Sequence, residues 1–142
     1  MSILRKQTAE APSHIKTGRI GEKIAEKYLK KNKYKIIGKN VRVGKSEFDI
    51  IGIKDETLVF FEVKTRTMPQ NGAPLLSRPA DAVNKSKSTY LIRGVNDFCA
   101  ENCDEYSDYL KRIDIIEVYL KSDGKKTVCA EIKHFENAVK RR

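Results

Sequence analysis

The 142-residue chain carries 29 Lys and Arg against 19 Asp and Glu, a formal charge of +10, and 39% of its residues are hydrophobic. That length suits one domain, able to bury about 68–70% of its unfolded surface without disulfide staples. The apolar content excludes a disordered polyelectrolyte, and no apolar run approaches the ~18 residues a membrane helix needs.

The opening segment, MSILRKQTAEAPSH, lacks the continuous apolar stretch of a secretory signal, so a cytoplasmic protein is expected. Residues 1–16 have no periodicity and read as a flexible lead-in, and residues 17–142 as a single domain. From Thr17 to Lys31 the pattern is helical: Ile20, Ile24 and Tyr28 step by four, with Ala25 and Leu29 widening the apolar arc. Tyr34–Val41 reads as a short strand. Glu47–Lys54 and Thr57–Arg66 read as two strands joined by a tight turn at Asp55-Glu56. Thr67–Pro79 holds three of the four prolines and reads as a long loop. Ala80 to about Ala100 is expected to be a second helix, with Val83, Tyr90, Leu91, Val95 and Phe98 inward. Lys111–Lys121 and Thr127–His134 are strands around an Asp123-Gly124 turn, followed by a short helix from Phe135. The expected order is α-β-β-β-α-β-β, an α/β domain with a mixed sheet flanked by helices.

Three cysteines, Cys99, Cys103 and Cys129, are an odd number and argue against a disulfide framework. Their spacing, with or without His134, fits no zinc finger, and they read as buried, reduced thiols.

The positive charge is segregated. Residues 16–45 hold eleven Lys or Arg and two acids, whereas residues 81–110 hold three basic residues against six acidic ones. Such a stretch fits a polyanion, because each Lys or Arg near a phosphate releases a counterion. It lacks the strong apolar face that a membrane surface requires. A lysine-rich solvated surface is the plainer reading of the same charge.

The central hairpin carries the chemistry. With a two-residue turn, Lys54 pairs with Thr57, and the register then sets Ile53 opposite Leu58, Ile51 opposite Phe60, Asp49 opposite Glu62, and Glu47 opposite Lys64. Opposite residues share a face, with Cβ atoms roughly 4.5–5.5 Å apart. One face therefore begins apolar and ends as three carboxylates and a lysine. Two unit charges about 4 Å apart repel by roughly 4 kcal/mol at an effective dielectric near 20. Lys64 offsets part of that. A divalent cation with oxygen ligands offsets more, and magnesium suits one or two carboxylates completed by a phosphate. A salt-bridge ladder on an open sheet face is the bland alternative. Glu22 borders the apolar arc of the first helix and could lean toward this cluster, although its spacing also fits an ordinary exposed glutamate.

Asp49, Glu62 and Lys64, spaced D-(12 residues)-E-x-K, resemble the PD-(D/E)xK motif of the restriction-endonuclease-like fold. GRIGEKIAEKYL (18–29), KNVRVGKSEFDII (39–51), VFFEVKTR (59–66), RIDII (112–116) and KHFENAV (133–139) stand in the order seen in the YraN-like family of bacterial proteins. That family is similar to archaeal Holliday junction resolvases. The resemblance covers about residues 17 to 139. It implies a restriction-endonuclease-like fold with Glu22 as the first-helix acid. Asp49 and Glu62 would be metal ligands, helped by the Val63 main-chain carbonyl and by Glu47, and Lys64 the catalytic lysine. Lys87 would be a basic residue near the scissile phosphate. Ser46 stands where the family pattern has glycine, and Phe48 where it has Ile or Leu. Arg112 and Asp114 match positions whose role the sequence does not give; an ion pair is the plain expectation. His134 and Asn137 match as well and read as structural caps.

The function implied is a Mg²⁺-dependent endonuclease, with Mn²⁺ able to substitute, hydrolysing phosphodiesters of DNA, branched DNA included. The basic 16–45 region would grip the phosphate backbone without reading sequence, and the resolvase analogy adds a homodimer. The rival is a noncatalytic nucleic-acid- or partner-binding module that keeps the fold. An RNA-processing enzyme is a weaker rival, since no RNA-specific signature is visible.

Overall fold

The computed structural model describes residues 13–68, 85–123 and 126–139. Helix α1 spans Ser13–Lys31, strand β1 Lys35–Val43, β2 Ser46–Lys54 and β3 Thr57–Thr67. Helix α2 follows at Lys85–Glu101, a single turn α3 at Cys103–Tyr106, then β4 at Leu110–Asp123 and β5 at Lys126–Phe135. The five strands form one sheet in chain order. Neighbouring strands run antiparallel except β3 and β4, which are parallel. Two parallel neighbours need a crossover, and the segment containing α2 supplies it. The mixed sheet flanked by helices is the expected α/β architecture.

The alternation of β3 divides the core. Val59 and Phe61 pack with Ala25 and Leu29 of α1, whereas Leu58 and Phe60 pack with Leu91 and Val95 of α2. Each helix thus covers one face of the sheet, which leaves β3 buried on both sides as a central strand must be.

The β2–β3 hairpin has the expected register from Lys54↔Thr57 through Ile53↔Leu58 and Ile51↔Phe60 to Ile50↔Phe61. Its turn residues Asp55 and Glu56 both have positive φ, at 49° and 59°. That is the type I′ geometry whose twist matches a two-residue hairpin.

Several expectations need correction. Helix α1 begins at Ser13, inside the stretch expected to be a flexible lead-in. Tyr90 does not face inward: it is 42% exposed. Leu91, Val95 and Phe98 step by four and three and take the buried stripe, so Tyr90, one residue from Leu91, is rotated about 100° away from it. No helix follows Phe135 among the described residues. The chain instead turns with Asn137 at φ 52°, and the Ala138 N–H donates to the Ile113 carbonyl at 2.9 Å. Cys99 is half-buried, but Cys103 and Cys129 are exposed rather than buried. The expected loop at 67–79 and the inward Val83 fall mostly or wholly outside the described residues.

No helix among the described residues is long and apolar enough to cross a membrane.

Candidate functional site

The site forms where β2 and β3 part. Their paired register ends at Ile50↔Phe61, so Asp49 and Glu62 are not ladder partners as the hairpin extrapolation required. Asp49 reaches across the gap instead, and its Oδ2 accepts a 2.7 Å hydrogen bond from the backbone N–H of Val63. Alternation breaks at the same level. Phe48 and Ile50 are two apart, yet Phe48 joins the α2 side of the core and Ile50 the α1 side. On β1, Asn40 sits at φ 51°, between the pairs Lys39↔Ile50 and Val41↔Phe48. The strand therefore rolls over at Asp49, and its carboxylate stands at the seam between the two faces.

Two open clefts meet at that carboxylate. One, of about 330 Å³, lies on the α2 side and is bordered by Lys45, Glu47, Asp49, Glu62, Tyr90 and Leu91. The other, of about 290 Å³, lies on the α1 side and brings Glu22, Arg19, Lys23, Lys39 and Asn40 to Asp49. Glu22 also borders a third concavity, which contains Val63 and Lys64. Four of the expected residues, Glu22, Asp49, Glu62 and Lys64, thus arrive from three elements.

Glycine sets the approach of α1. A Cβ on Gly21 would lie 1.8 Å from Thr65 Oγ1, so only glycine lets the helix press onto β3 and carry Glu22 to the seam. A second close approach fixes α2. A Cβ on Gly94 would lie 2.6 Å from the Ser46 Cβ, and the Ser46 hydroxyl donates to the Tyr90 carbonyl. Ser46, which departs from the glycine of the resembled pattern, is here a buried tie between β2 and α2.

Burial pushes the Asp49 carboxyl up to about 7; Glu62, Glu22 and Glu47 push the same way, and the Val63 N–H only partly opposes them. The centre is therefore short of positive charge. Lys64 supplies some: its Nζ lies 3.2 Å from Glu62 Oε1, and Glu62 is buried. Glu47 is exposed and pairs with Arg42 at 3.7 Å, close enough to act on Asp49 but at the rim. Lys87 lies in the first turn of α2. Among the described residues, no three His, Cys, Asp or Glu side chains converge into a preformed cage. The hard oxygen donors of Asp49, Glu62 and the Val63 carbonyl suit Mg²⁺ or Mn²⁺, which keep several waters and take one or two protein carboxylates with a substrate phosphate.

Two buried networks flank the site, and the first of them went unread in the sequence. Glu117, fully buried, accepts from Arg66 Nε at 3.2 Å and from the Tyr119 hydroxyl at 2.6 Å. Arg66 follows Lys64 by two residues on β3, and a lone acid, Glu117, inside the apolar run IIEVYL was the available signal. At the other end of the sheet, Arg112 Nε and Nη2 grip Asp114 at 2.8 and 3.0 Å, and the Asn137 N–H adds a 2.8 Å bond. His134 Nε2 lies 2.7 Å from the Asp114 carboxylate, which can only accept, and Nδ1 lies 3.0 Å from the Tyr28 hydroxyl. The ion pair expected of Arg112 and Asp114 is real, and His134 is a buttress of it rather than a cap.

Comparison with known proteins places this chain in a family. A UPF0102 protein of Alkaliphilus oremlandii is 38% identical over 123 residues, covering 87% of this chain and 97% of its own. One from Caldanaerobacter subterraneus subsp. tengcongensis is 36% identical over 121 residues, covering 85% and 92%. Among solved structures, Pyrococcus furiosus SfsA in complex with Ca²⁺ is similar at 16% identity and a TM-score of 0.36, over 88% of this chain and 64% of that one; nothing about activity transfers at that distance. The model of the uncharacterised protein family UPF0102 matches residues 21–118, and the chain belongs to that family.

Proposed function

We propose that the protein is a metal-dependent nuclease-like protein of the restriction-endonuclease-like fold, acting on DNA phosphodiesters in the cytoplasm. The observation that carries this reading is the convergence of Asp49, Glu62, Lys64 and Glu22 where the β2–β3 ladder opens. A structural salt-bridge ladder would keep the strands paired. Here the pairing stops and the most burdened carboxylate faces two clefts.

Asp49, Glu62 and the Val63 carbonyl would hold Mg²⁺ or Mn²⁺, with Glu47 or Glu22 bonding to its waters. Bound there, the metal would polarise the phosphodiester and acidify a water. The chain's own groups do the rest. Val63 fixes the Asp49 carboxylate through its N–H. Glu62 holds the Lys64 ammonium beside the cleft, where it stabilises charge developing on the phosphate. Exposed Arg19, Lys23, Lys39 and Lys45 ring the acidic centre, so the phosphate backbone meets positive charge on its way in. Lys87 adds a basic residue at the start of α2. A homodimer would present two such centres to a branched DNA.

The test is incubation of single-stranded, duplex, flapped and four-way-junction DNA with the protein and Mg²⁺ or Mn²⁺, beside an Asp49→Ala, Glu62→Ala protein and a chelator control. Cleavage lost in both controls supports the reading. Equal cleavage by wild type and the double variant contradicts it. The basic side chains around the two clefts fit equally a second reading, a noncatalytic nucleic-acid- or partner-binding module; DNA binding with no cleavage of any substrate would select it. RNA substrates beside the DNA panel decide between the two polymers.

A further inference from the structure

The α2-side cleft pairs the carboxylates with an aromatic wall. Tyr90 and Leu91, from α2, line it together with Asp49, Glu62 and Glu47 of the sheet. Tyr90 is the one aromatic among the exposed large hydrophobic side chains of the described residues; the others are Ile20, Leu110 and Val128. An exposed tyrosine alone would mean little. This one is held firmly. Its carbonyl accepts from the buried Ser46 hydroxyl, three residues before Asp49, and Gly94 one turn later packs against Ser46 and Phe48 without room for a Cβ. The ring is thus mounted on a rigid part of α2, on the wall of the cleft that holds the reacting centre.

We infer that Tyr90 is a stacking platform for an unpaired nucleobase next to the scissile phosphate, so that the substrate is DNA with a single-stranded nucleotide at the cut site. This rests on the nuclease reading above for the identity of the polymer. A nucleotide whose phosphate sits at Asp49 and Glu62 carries its base into the same cleft. That cleft is also lined by Tyr90 and Leu91. Every base offers a π-face to such a ring, which makes the contact tolerant of sequence. Within a duplex both faces of a base are already covered by its neighbours, so the platform serves only a base that has left the stack or lies in a single strand.

The platform is a specificity-determining residue, and binding reads it without turnover. The probe is an oligodeoxynucleotide carrying one 2-aminopurine, whose fluorescence falls on stacking. It is offered single-stranded or as a duplex, with Ca²⁺ in place of Mg²⁺. Wild type, Tyr90→Phe and Tyr90→Ala are compared; the side chain is exposed, so the variants fold. Tyr90→Ala is expected to weaken single-strand binding about tenfold, within the range for one base–aromatic stack, and to abolish the quench. Tyr90→Phe keeps both, and duplex affinity changes less than about twofold in either variant. Unchanged single-strand affinity in Tyr90→Ala overturns the proposal, as does an equal loss on single strand and duplex. If the quench depends on Tyr90 but no DNA is ever cut, the nuclease reading fails and the platform stands. If cutting depends on Asp49 and Glu62 but is indifferent to Tyr90 and to unpaired nucleotides, the nuclease reading stands and the platform fails.

Discussion

The backbone N–H of Val63 donates to Asp49 Oδ2 across 2.7 Å, one residue beyond the position that strict hairpin pairing assigns to Asp49. This bond replaces the ladder at the point where two carboxylates would otherwise sit face to face. It holds Asp49 at the junction of two clefts while its surroundings disfavour its charge.

Replacing that carboxylate by an amide should therefore stabilise the metal-free protein. The amide introduced by Asp49→Asn keeps an oxygen for the Val63 N–H and removes the repulsion from Glu62, Glu22 and Glu47. The folded-state value of Asp49 is raised to about 7 from 3.8, so the native protein holds a proton there that the unfolded chain has lost. Stability accordingly falls as pH rises between about 4 and 7. The gain of Asp49→Asn should be absent near pH 4 and reach at least about 1 kcal/mol above pH 7. Thermal melts with chelator across that range check it; a variant less stable than wild type at pH 8 contradicts it.

Gly21→Ala should cost about 1–3 kcal/mol by overpacking against Thr65 and push Glu22 away from the seam. Thr65→Ala in the same chain removes the hydroxyl that the new methyl meets first and should restore part of the loss. Denaturant unfolding of the two single variants and the double variant measures this coupling. Additive effects would show that the contact is not the cause.

Glu56→Gly should stabilise. Glu56 occupies φ 59°, a left-handed conformation that costs a residue with a Cβ about 1–2 kcal/mol. Glycine removes that strain, and its extra unfolded-state freedom returns roughly 0.5–1 kcal/mol of the benefit. The Glu56 carbonyl, which accepts from the Leu110 N–H at 3.0 Å, is kept. A net gain of about 0.5–1 kcal/mol in chemical denaturation is expected.

Asp114 should govern acid unfolding. Burial raises its carboxyl, but hydrogen bonds from His134, Arg112 and the Asn137 N–H outweigh it and leave the group below its ordinary value of 3.8. A depressed carboxylate stabilises above the unfolded value and is lost as pH falls through the folded one. Asp114→Asn removes the buried charge that Arg112 grips; Arg112 keeps the Tyr34 hydroxyl at 2.8 Å and Glu136 at 3.8 Å and is partly exposed, so the cost falls below the about 3–5 kcal/mol of a fully buried pair. The variant should melt well below wild type at pH 7 and lose its deficit as pH falls below 3.8. A deficit independent of pH would mean packing, not charge, holds the network.

Much of this was legible locally. The β2–β3 turn and the register beside it follow from alternation and one two-residue turn, because side-chain period and turn geometry fix each other, and the order of elements along the chain follows from their periodicities. The pairing of Asp49 with Glu62 did not follow, since extrapolating a ladder ignores the Val63 N–H as a competing partner and the roll of β2 at Asp49, beside Asn40 of β1. The outward turn of Tyr90 was hidden because helical periodicity places a residue at the border of the apolar arc as readily inside as outside. The Asp114 network joins residues from Tyr28 to Asn137, and no short-range pattern encodes contacts so far apart in sequence.

The central claim is that Asp49 and Glu62 form a divalent-metal site that a DNA phosphate completes. Calorimetric titration of Mn²⁺ into the protein with a noncleavable phosphorothioate oligonucleotide tests it, with the Asp49→Ala, Glu62→Ala variant alongside. Saturable binding in wild type, absent in the variant, is the predicted result. Identical isotherms for the two proteins, or no metal binding by either with DNA present, would contradict it.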